Sequence, residues 1–407
     1  MGGLVVAAFG SRAATRRRHS AGLPERERLW RRIWGGAPGI GWLRLQQLEH
    51  ACGGLEQAWL ADADALRESL AKPTRLGPSG LASLLDYRQA IGPTPLSAPP
   101  SAAQRLRWRG ERVLLCGDAA LPDTLHALER PPLELHWRGR GCLWAQLRRR
   151  AAVAVVGTRR PSRHGESLAR ALGRALAEAG WPVVSGLAEG IDAAAHQGCL
   201  EAGGRPIGIL GTPLERVYPR HHQALQEQVG REGLLISELA AGTPVRSGHF
   251  AQRNRLQVAF SCAVVLVECP HGSGALHSAR LAWDQGIPLW VVPADINRIS
   301  AAGSNHWLAQ GASALLDPAD LVANLGPGPL QRRTANPQQG RAGSGSAPLE
   351  QLKLREAALL AALGQGSSLE QLCQRLRQGP AALSERLLTL ELAGLVHSEP
   401  GLWWRPC

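Results

Sequence analysis

Four segments in the middle of the chain combine glycine with hydroxyl side chains, and each directly follows an apolar run. They are Gly157–Ser162, Ser185–Asp192, Gly208–Pro213 and Glu268–Ala275. A glycine-containing loop between a strand and a helix offers backbone N–H groups, and the helix N-terminus adds partial positive charge, so both favour phosphate. Each loop alone is equally compatible with an ordinary turn. Together they predict a phosphate site at one edge of a parallel sheet.

A fifth segment, Gly248–Arg255, adds groups suited to a nucleic acid. Phe250 can stack on a base, Arg253 and Arg255 can pair with phosphate, and Arg159 in the first loop can grip phosphate with two hydrogen bonds. Asp192 is compatible with a helix cap. The chain contains neither G-x-x-x-x-G-K-[ST] nor a usable G-x-G-x-x-G, which argues against P-loop NTPases and ordinary dinucleotide enzymes.

We find no arrangement of residues that predicts catalysis, a metal or a cofactor. His196 and His249 lack a nucleophile partner, and we interpret both as packed or capping side chains. The eight cysteines form no CxxC pair and no metal-ligand spacing, so we expect buried, reduced thiols. They are Cys52, Cys116, Cys142, Cys199, Cys262, Cys269, Cys373 and Cys407.

From residue 152 onward, short apolar runs alternate with amphipathic helical patterns. We predict strands near Val153–Val156, Pro182–Ser185, Pro206–Leu210, Leu234–Ser237, Ala263–Glu268 and Pro288–Val292. We predict helices near His164–Ala179, Ile191–Glu201, His221–Glu232, Arg255–Ser261, Ala275–Asp284 and Ala301–Gln310. This alternation predicts an α/β fold with a Rossmann-like parallel sheet covered on both faces.

Composition and periodicity divide the chain into five parts. We expect a disordered basic extension (1–22), an all-α domain (23–92), an extended Rossmann-like domain (93–325), a flexible linker (326–348) and a winged-helix-like domain (349–407). In the all-α domain, Pro38–Gly41 resembles the turn of a helix-hairpin-helix or SAM-like fold, although an ordinary turn explains it as well. Within the Rossmann-like domain, residues 93–150 read as a connector.

The positive charge is concentrated at the N-terminal end. The chain carries a net charge of +13; residues 1–150 hold 23 basic and 13 acidic side chains, whereas residues 151–325 hold 14 of each. This asymmetry favours an anionic partner and requires the central domain to bind it with a few focused cations. No run of 18 apolar residues occurs, so we expect no membrane span. The expected reduced thiols indicate a cytoplasmic location.

Several motifs, in this order, resemble the DNA-processing protein A family (DprA, also called Smf). The matching residues are Val155–Arg159, Ser185–Ala188, Gly190–Asp192 with His196, Tyr218-Pro219, His249-Phe250, Arg253–Arg255 and Ser273–Leu276. The resemblance is strong over about residues 105–325 and looser in the terminal blocks.

The resemblance implies a protein without enzymatic activity. It would bind single-stranded DNA, form a homodimer and help load the RecA recombinase during natural transformation. On matching positions, the DNA pocket would include Gly157, Thr158, Arg159, Ser185, Gly186, Arg253, Asn254, Arg255, Ser273 and Gly274. Our reading of the loops adds Gly190 and Phe250 to this set.

Two positions depart from the family pattern. Glu189 stands where the family usually has Arg, and Gly272 stands where it usually has Lys. Losing two phosphate contacts should lower affinity and flatten its salt dependence by up to about two units of slope. The basic N-terminal block could compensate.

Two other functions remain open at this stage. One is a nucleotide phosphoribohydrolase of the lysine-decarboxylase-like type, although His271–Ala275 does not match that family's Pro-Gly-Gly-x-Gly-Thr motif. The other is an adaptor that docks the recombinase and binds DNA only weakly.

Overall fold

The computed structural model describes residues 24–92, 112–115, 118, 121–126, 128–331, 346–399 and 402–407. The predicted extension at 1–22 lies outside them. The chain divides into two units. The first holds the helices before residue 93 together with Leu114–Leu121 and Glu129–Glu134, and the second holds Ala102–Val113, Pro122–Leu128 and Leu135–Cys407. Among the described residues, no helix combines the length and apolar content needed to cross a membrane.

The first unit is helical, as predicted. Its helices are α1 (Glu25–Gly35), α2 (Trp42–Ala51), α3 (Leu55–Leu60), α4 (Ala63–Ser69) and α5 (Pro78–Ile91). Three indole rings pack among leucines in the core, where Trp34 and Trp59 meet edge to face at 5.3 Å between ring centroids. Gly39 turns the chain between α1 and α2 with φ +73°, and Ile40 is buried beneath that turn.

A nine-stranded sheet forms the centre of the second unit. Its strands are β1 (Val113–Leu115), β2 (Glu134–Gly139), β3 (Val153–Val156), β4 (Val183–Ser185), β5 (Pro206–Leu210), β6 (Leu234–Ser237), β7 (Ala263–Leu266), β8 (Leu289–Val291) and β9 (Ser313–Ala314). Their order is β1-β2-β6-β5-β4-β3-β7-β8-β9. Strands β3 to β9 run parallel, and β2 joins β6 antiparallel. We call residues 128–331 the Rossmann-like core.

Helices connect the strands of this core. They are α6 (Asp123–His126) before β2, α7 (Trp144–Arg148), α8 (Arg163–Glu178), α9 (Ile191–Glu201), α10 (Gln223–Glu232), α11 (Ser247–Ala259), α12 (Ala275–Asp284), α13 (Ala302–Ala309) and α14 (Pro318–Leu325). Every residue of β3 to β7 is buried, as a parallel sheet covered on both faces requires. The prediction of an α/β core is confirmed.

One helix boundary was predicted wrongly, and this error affects the site. We expected a helix from Arg255, but α11 begins at Ser247, so Phe250 and Arg253 lie on a helix. Gly248 is the second residue of α11, outside the helix interior where glycine is most destabilising.

The connector assigned to residues 93–150 also needs correction. It supplies β2, whose residues 136–139 pair with 234–237 of β6. The strand is only six residues long and buries only Leu135 and Trp137 fully, so its apolar pattern is weak.

Part of the predicted linker is ordered against the core. Gly328 N donates to Ala179 O at 2.7 Å, Leu330 N donates to Gly180 O at 3.0 Å, and the Trp181 indole donates to Gly326 O at 2.9 Å. Residues 326–331 are therefore not a free tether, because their backbone groups form hydrogen bonds with the turn that follows α8. Residues 332–345 lie outside the described part, and a helix begins at Ser346.

The C-terminal module is a winged helix, as predicted. It contains α15 (Ser346–Arg355), α16 (Ala357–Leu363), β10 (Ser367–Ser368), α17 (Leu369–Leu376), α18 (Pro380–Leu392), β11 (Val396–Glu399) and β12 (Trp403–Pro406). Strand β12 pairs antiparallel with both β10 and β11. Helices α15 and α16 are separated at Glu356, a buried carboxylate that pairs with Arg386 at 2.6 Å.

Two helices of the core touch through glycines. A Cβ at position 198 of α9 would lie 1.9 Å from Arg170 O of α8, and a Cβ at position 173 would lie 2.1 Å from Ala195 O. Backbone therefore meets backbone, and no flexible side chain could yield to a methyl group.

We predict that Gly198→Ala lowers the free energy of unfolding by about 2 kcal/mol or more, because overpacking forces the two helices apart. The matched control is Gly248→Ala in α11, where nothing lies within 4 Å of the added methyl. Denaturant unfolding should show no loss for the control and a clear loss for Gly198→Ala; equal stabilities would contradict the contact.

Candidate nucleic-acid interface

A cleft of about 800 Å³ opens at the carboxyl ends of the central strands. After β3 the chain continues to β4 on one side of the sheet order, whereas after β7 it continues to β8 on the other side. The loops after β3 and β7 therefore diverge and leave a crevice. Open α/β sheets bind ligands at such a switch point.

Three main segments line the cleft. They are the loop after β3, the inward face of α11, and the loop after β7 with the start of α12. The lining residues used below are Gly157, Thr158, Arg159, Arg160, Asp192, Phe250, Arg253, Asn254, Gln257, His271, Gly272, Ser273, Gly274 and Ser278. Eight of the twelve predicted site residues belong to this lining.

Arg253 places a positive charge at the buried wall of the cleft. The residue is 6% exposed, and its Nη1 donates to Ile209 O at the end of β5. Burial lowers the pKa of Arg253 to about 10, so the guanidinium stays charged at neutral pH. A Cβ at position 186 would lie 1.7 Å from Arg253 Nη1, so Gly186 is required to make room for this side chain.

The negative charge of Asp192 raises the pKa of Arg253 and so opposes the effect of burial. Asp192 Oδ2 accepts a hydrogen bond from Gly186 N at 3.0 Å, in the loop before α9, so Asp192 does not cap the helix as the sequence suggested. Burial raises the pKa of Asp192, while Arg253 opposes that rise. The buried pair is therefore close to neutral overall, and the remaining cations of the cleft decide its charge.

Arg159 and Arg160 provide exposed cations at the rim. The Arg159 guanidinium lies 5.4 Å from the centroid of the Phe250 ring, within cation–π range. Tyr218, which is 48% exposed, packs against Phe250 with 4.9 Å between the two ring centroids. Cations and stacking rings thus lie side by side.

Two polar side chains in the lining have no partner within the described residues. Gln257 Nε2 and Ser278 Oγ are buried, each residue being 1% exposed, and neither forms a hydrogen bond. Leaving a buried polar group unsatisfied costs about 1–3 kcal/mol. Such groups in a cleft indicate a polar ligand that would satisfy them.

Hydrogen bonds fix the loop after β7 at the edge of the cleft. Asn254 Nδ2 donates to Gly274 O at 3.1 Å, and Ser273 Oγ accepts from Ala275 N at 3.4 Å. Helix α12 begins at Ala275 with no acidic residue in its first turn. Its positive end therefore faces the lining without local neutralisation.

Four predicted site residues lie outside the lining. Ser185 is fully buried and donates to Val155 O at 2.7 Å, and Gly186 packs under Arg253. Gly190, with φ +82°, lets its loop approach Thr158 O, which a Cβ would reach at 2.5 Å. Arg255 pairs with Glu238, and both are largely buried. These residues shape the cleft instead of facing it.

The two departures from the family pattern have different surroundings. Glu189 lies outside the lining, where its carboxylate is 3.5 Å from His221 Nε2. Gly272 belongs to the lining with φ +78° and open space around it. A lysine at position 272 would therefore lie in the cleft, so its absence removes a cation from the lining. Glu189 lies outside the lining and affects the cleft less.

Gln257 and Ser278 were not predicted from the sequence. Phe250, Arg253 and Gln257 are spaced by three and four residues, so they share one face of α11. Because we placed the helix start at Arg255, this spacing was overlooked. Ser278 follows Gly274 by one helical turn, a signal that we also did not use.

His196 lies at the centre of the core and not in the lining. It is fully buried, and burial lowers its pKa to about 3. The imidazole is therefore neutral at physiological pH, in agreement with our reading of a packed residue. Among the described residues, no group of three or more His, Cys, Asp or Glu could hold a metal ion.

Comparisons with known proteins agree on one family. The chain matches DNA recombination-mediator protein A over residues 112–326 and the DprA winged helix domain over residues 345–401. Protein Smf of Synechocystis sp. is 31% identical over 392 residues, which cover 91% of this chain and 96% of that protein. Protein Smf of Escherichia coli is 34% identical over 258 residues, covering 61% and 66% respectively.

A solved structure shares the fold. The X-ray structure of DNA processing protein A (DprA) from Streptococcus pneumoniae has a TM-score of 0.58 to this chain and 23% sequence identity. The match covers 74% of this chain and 98% of that one.

The burial of His196 predicts acid sensitivity. Its folded pKa lies below the ordinary 6.5, so the unfolded chain binds the proton more tightly. The stability this neutral residue contributes is fully present above pH 6.5 and is lost as pH falls toward 3, by up to about 1.4 kcal/mol per pH unit. Denaturant unfolding between pH 6.5 and 4 should show a shallower pH slope for His196→Asn than for wild type. The exposed His164→Asn should keep the wild-type slope, and identical slopes in all three proteins would refute the assignment.

Proposed function

Since the chain belongs to the DNA recombination-mediator protein A family, we propose that it is a DNA-processing protein whose cleft binds the backbone of single-stranded DNA. The observation that carries this proposal is the cleft itself. It lies at the switch point of the sheet and combines the buried Arg253 with the exposed Arg159 beside two aromatic rings. A nucleic-acid strand offers a ligand for each of these groups.

The aromatic rings support a single strand over a duplex. Phe250 and Tyr218 can stack only on bases that are free of a paired helix, and stacking is worth about 1–3 kcal/mol per base. In a duplex the bases already stack on one another. The rings next to Arg159 therefore favour a strand with its bases turned toward the protein and its phosphates at the rim.

The neutral charge of residues 151–325 supports focused binding at this cleft. Backbone N–H groups and the start of α12 bind phosphate without contributing net charge, so a small number of arginines can be sufficient. We propose a binding function without catalysis, because Asp192 is held by Gly186 N and lies beside Arg253, leaving it poorly placed as a general base.

A titration of labelled oligo-dT tests the proposal, with single- and double-stranded DNA at two salt concentrations. We expect salt-dependent binding that prefers the single strand. Absence of binding to either DNA would overturn the proposal. Release of a free base from nucleoside monophosphates would instead indicate the phosphoribohydrolase alternative.

We predict that Arg159→Ala weakens binding to oligo-dT about tenfold and reduces the slope of log affinity against log salt by about 0.7, the value for one phosphate contact on a single strand. The matched control is Arg231→Ala, which removes an exposed arginine of α10 that lies outside the cleft lining. The assignment of Arg159 to phosphate fails if both variants keep the wild-type slope.

We also propose that the protein helps load RecA recombinase during natural transformation. It would therefore work in the cytoplasm. The test of this role is the ATP hydrolysis of RecA on DNA coated with single-strand-binding protein, which wild type should accelerate. Arg159→Ala should accelerate it less. Equal acceleration by this variant would favour the adaptor alternative, and no acceleration by wild type would contradict the RecA role alone.

The outer edge of the sheet supports a homodimer as part of the same proposal. Strand β9 ends the sheet order, Leu316 just beyond it is 78% exposed, and Trp283 nearby packs on Trp307 at 5.7 Å. Exposed apolar groups beside an edge strand with no further neighbour in the described sheet are typical of protein interfaces.

We predict that Leu316→Glu shifts the protein from dimer to monomer, because a charge would be buried in the apolar interface. Light scattering coupled to size-exclusion chromatography measures the mass. Leu354→Glu in α15, where the leucine is 77% exposed, is the control and should leave the mass unchanged. A wild-type monomer at high concentration would contradict the dimer.

A further inference from the structure

The winged-helix module is fastened to the Rossmann-like core at a 3-10 turn, Gly141–Leu143, that follows β2. Glu391 near the end of α18 is fully buried, and its Oε1 accepts from Gly141 N at 3.1 Å and from Ser398 Oγ at 3.1 Å. Arg112 Nη2 donates to the same Ser398 hydroxyl at 2.6 Å. A buried carboxylate thus joins the module to the core.

The same turn brings together two cysteines from opposite sides of this contact. Cys142 lies in the turn, and Cys407 directly follows β12 of the winged helix. Cys407 N donates to Leu395 O at 3.0 Å, which fixes its backbone, and Cys142 O lies 3.5 Å from where a Cβ of Gly394 would stand. Both cysteines therefore lie at the Gly394-Leu395 turn of the winged helix, and each side chain shifts the pKa of the other.

The surroundings of the pair favour a thiolate at Cys142. The neighbouring Cys407 thiol lowers the pKa of Cys142; burial and Glu391 oppose this shift, and the guanidinium groups of Arg140 and Arg205 add to it. The Cys142 thiol and burial raise the pKa of Cys407. The thiolate is the reactive form of cysteine, and neighbouring cations are typical of redox-active thiols.

Other described cysteines have the opposite character. Burial raises the pKa of Cys199, Cys262 and Cys269, which makes these thiols inert. Cys407 is exposed and Cys142 is half-buried, so a small oxidant can reach the pair. His397 Nδ1 lies 3.9 Å from Cys407 Sγ, yet these residues do not form a group of three that could hold a metal.

We infer that Cys142 and Cys407 are a redox modification site, where a peroxide produces a disulfide that latches the winged-helix module onto the Rossmann-like core. The Cys142 thiolate attacks one peroxide oxygen, the O–O bond breaks, and a sulfenic acid and one water result. The Cys407 sulphur then attacks the sulfenic sulphur, the S–O bond breaks, and the oxygen leaves as a second water. The two thiols lose two electrons in total, which reduce the peroxide.

Mass spectrometry on the full-length protein tests the bond. The reduced protein is treated with one equivalent of hydrogen peroxide, alkylated and digested. We expect a linked peptide containing Cys142 and Cys407 with the loss of two hydrogens. Cys142→Ser and Cys407→Ser should abolish it, and Cys373→Ser, a half-buried cysteine of the winged helix, should preserve it.

A cleavage assay tests the latch. A site for a sequence-specific protease is introduced between residues 335 and 345, and the cleaved protein is run on a denaturing gel without reductant. After peroxide the two fragments should migrate together, and dithiothreitol should separate them. Separate fragments under both conditions would overturn the inference, as would a bond between two copies of the chain or a bond to Cys373. Zinc that co-purifies and shields both thiols from alkylation would also overturn it.

Discussion

The cleft depends on the burial of one guanidinium. Arg253 can extend beneath the strand ends only because Gly186 has no side chain, and its charge is tolerated there because Ile209 O and Asp192 surround it. Moving a cation away from water is costly unless it is paired and hydrogen-bonded. Helix α11 is therefore held in one position, and with it the Phe250 ring that faces Arg159.

This arrangement explains how a domain with 14 basic and 14 acidic residues can attract a polyanion. A charge in a partly buried cleft interacts more strongly than one in bulk water, since the surrounding dielectric constant is lower. Diverging loops after β3 and β7 supply backbone donors to the same space.

The winged-helix module uses its buried charges for attachment. Glu356 pairs with Arg386 inside the module, and Glu391 joins it to the 3-10 turn of the core. The recognition helix of a helix-turn-helix enters the major groove in many DNA-binding proteins. In α18 the only arginine, Arg386, pairs with Glu356, and Glu391 near its end binds the core, so α18 is suited to intramolecular contact.

The sequence by itself determined the α/β class, the winged helix and the family, because buried parallel strands and glycine loops leave strong local patterns. It also identified Arg159, Phe250 and Arg253 as residues of the cleft. Only the tertiary structure decided that Arg255, two positions from Arg253, forms an ion pair with Glu238, and that Gln257 faces the cleft instead. The physical reason is that a residue's type sets which bonds it can make, whereas the direction of its helix face and the partners brought from distant strands decide which bonds it does make. The same reason applies to Cys142 and Cys407, which reach the same turn, Gly394-Leu395, only because the winged helix packs on the core.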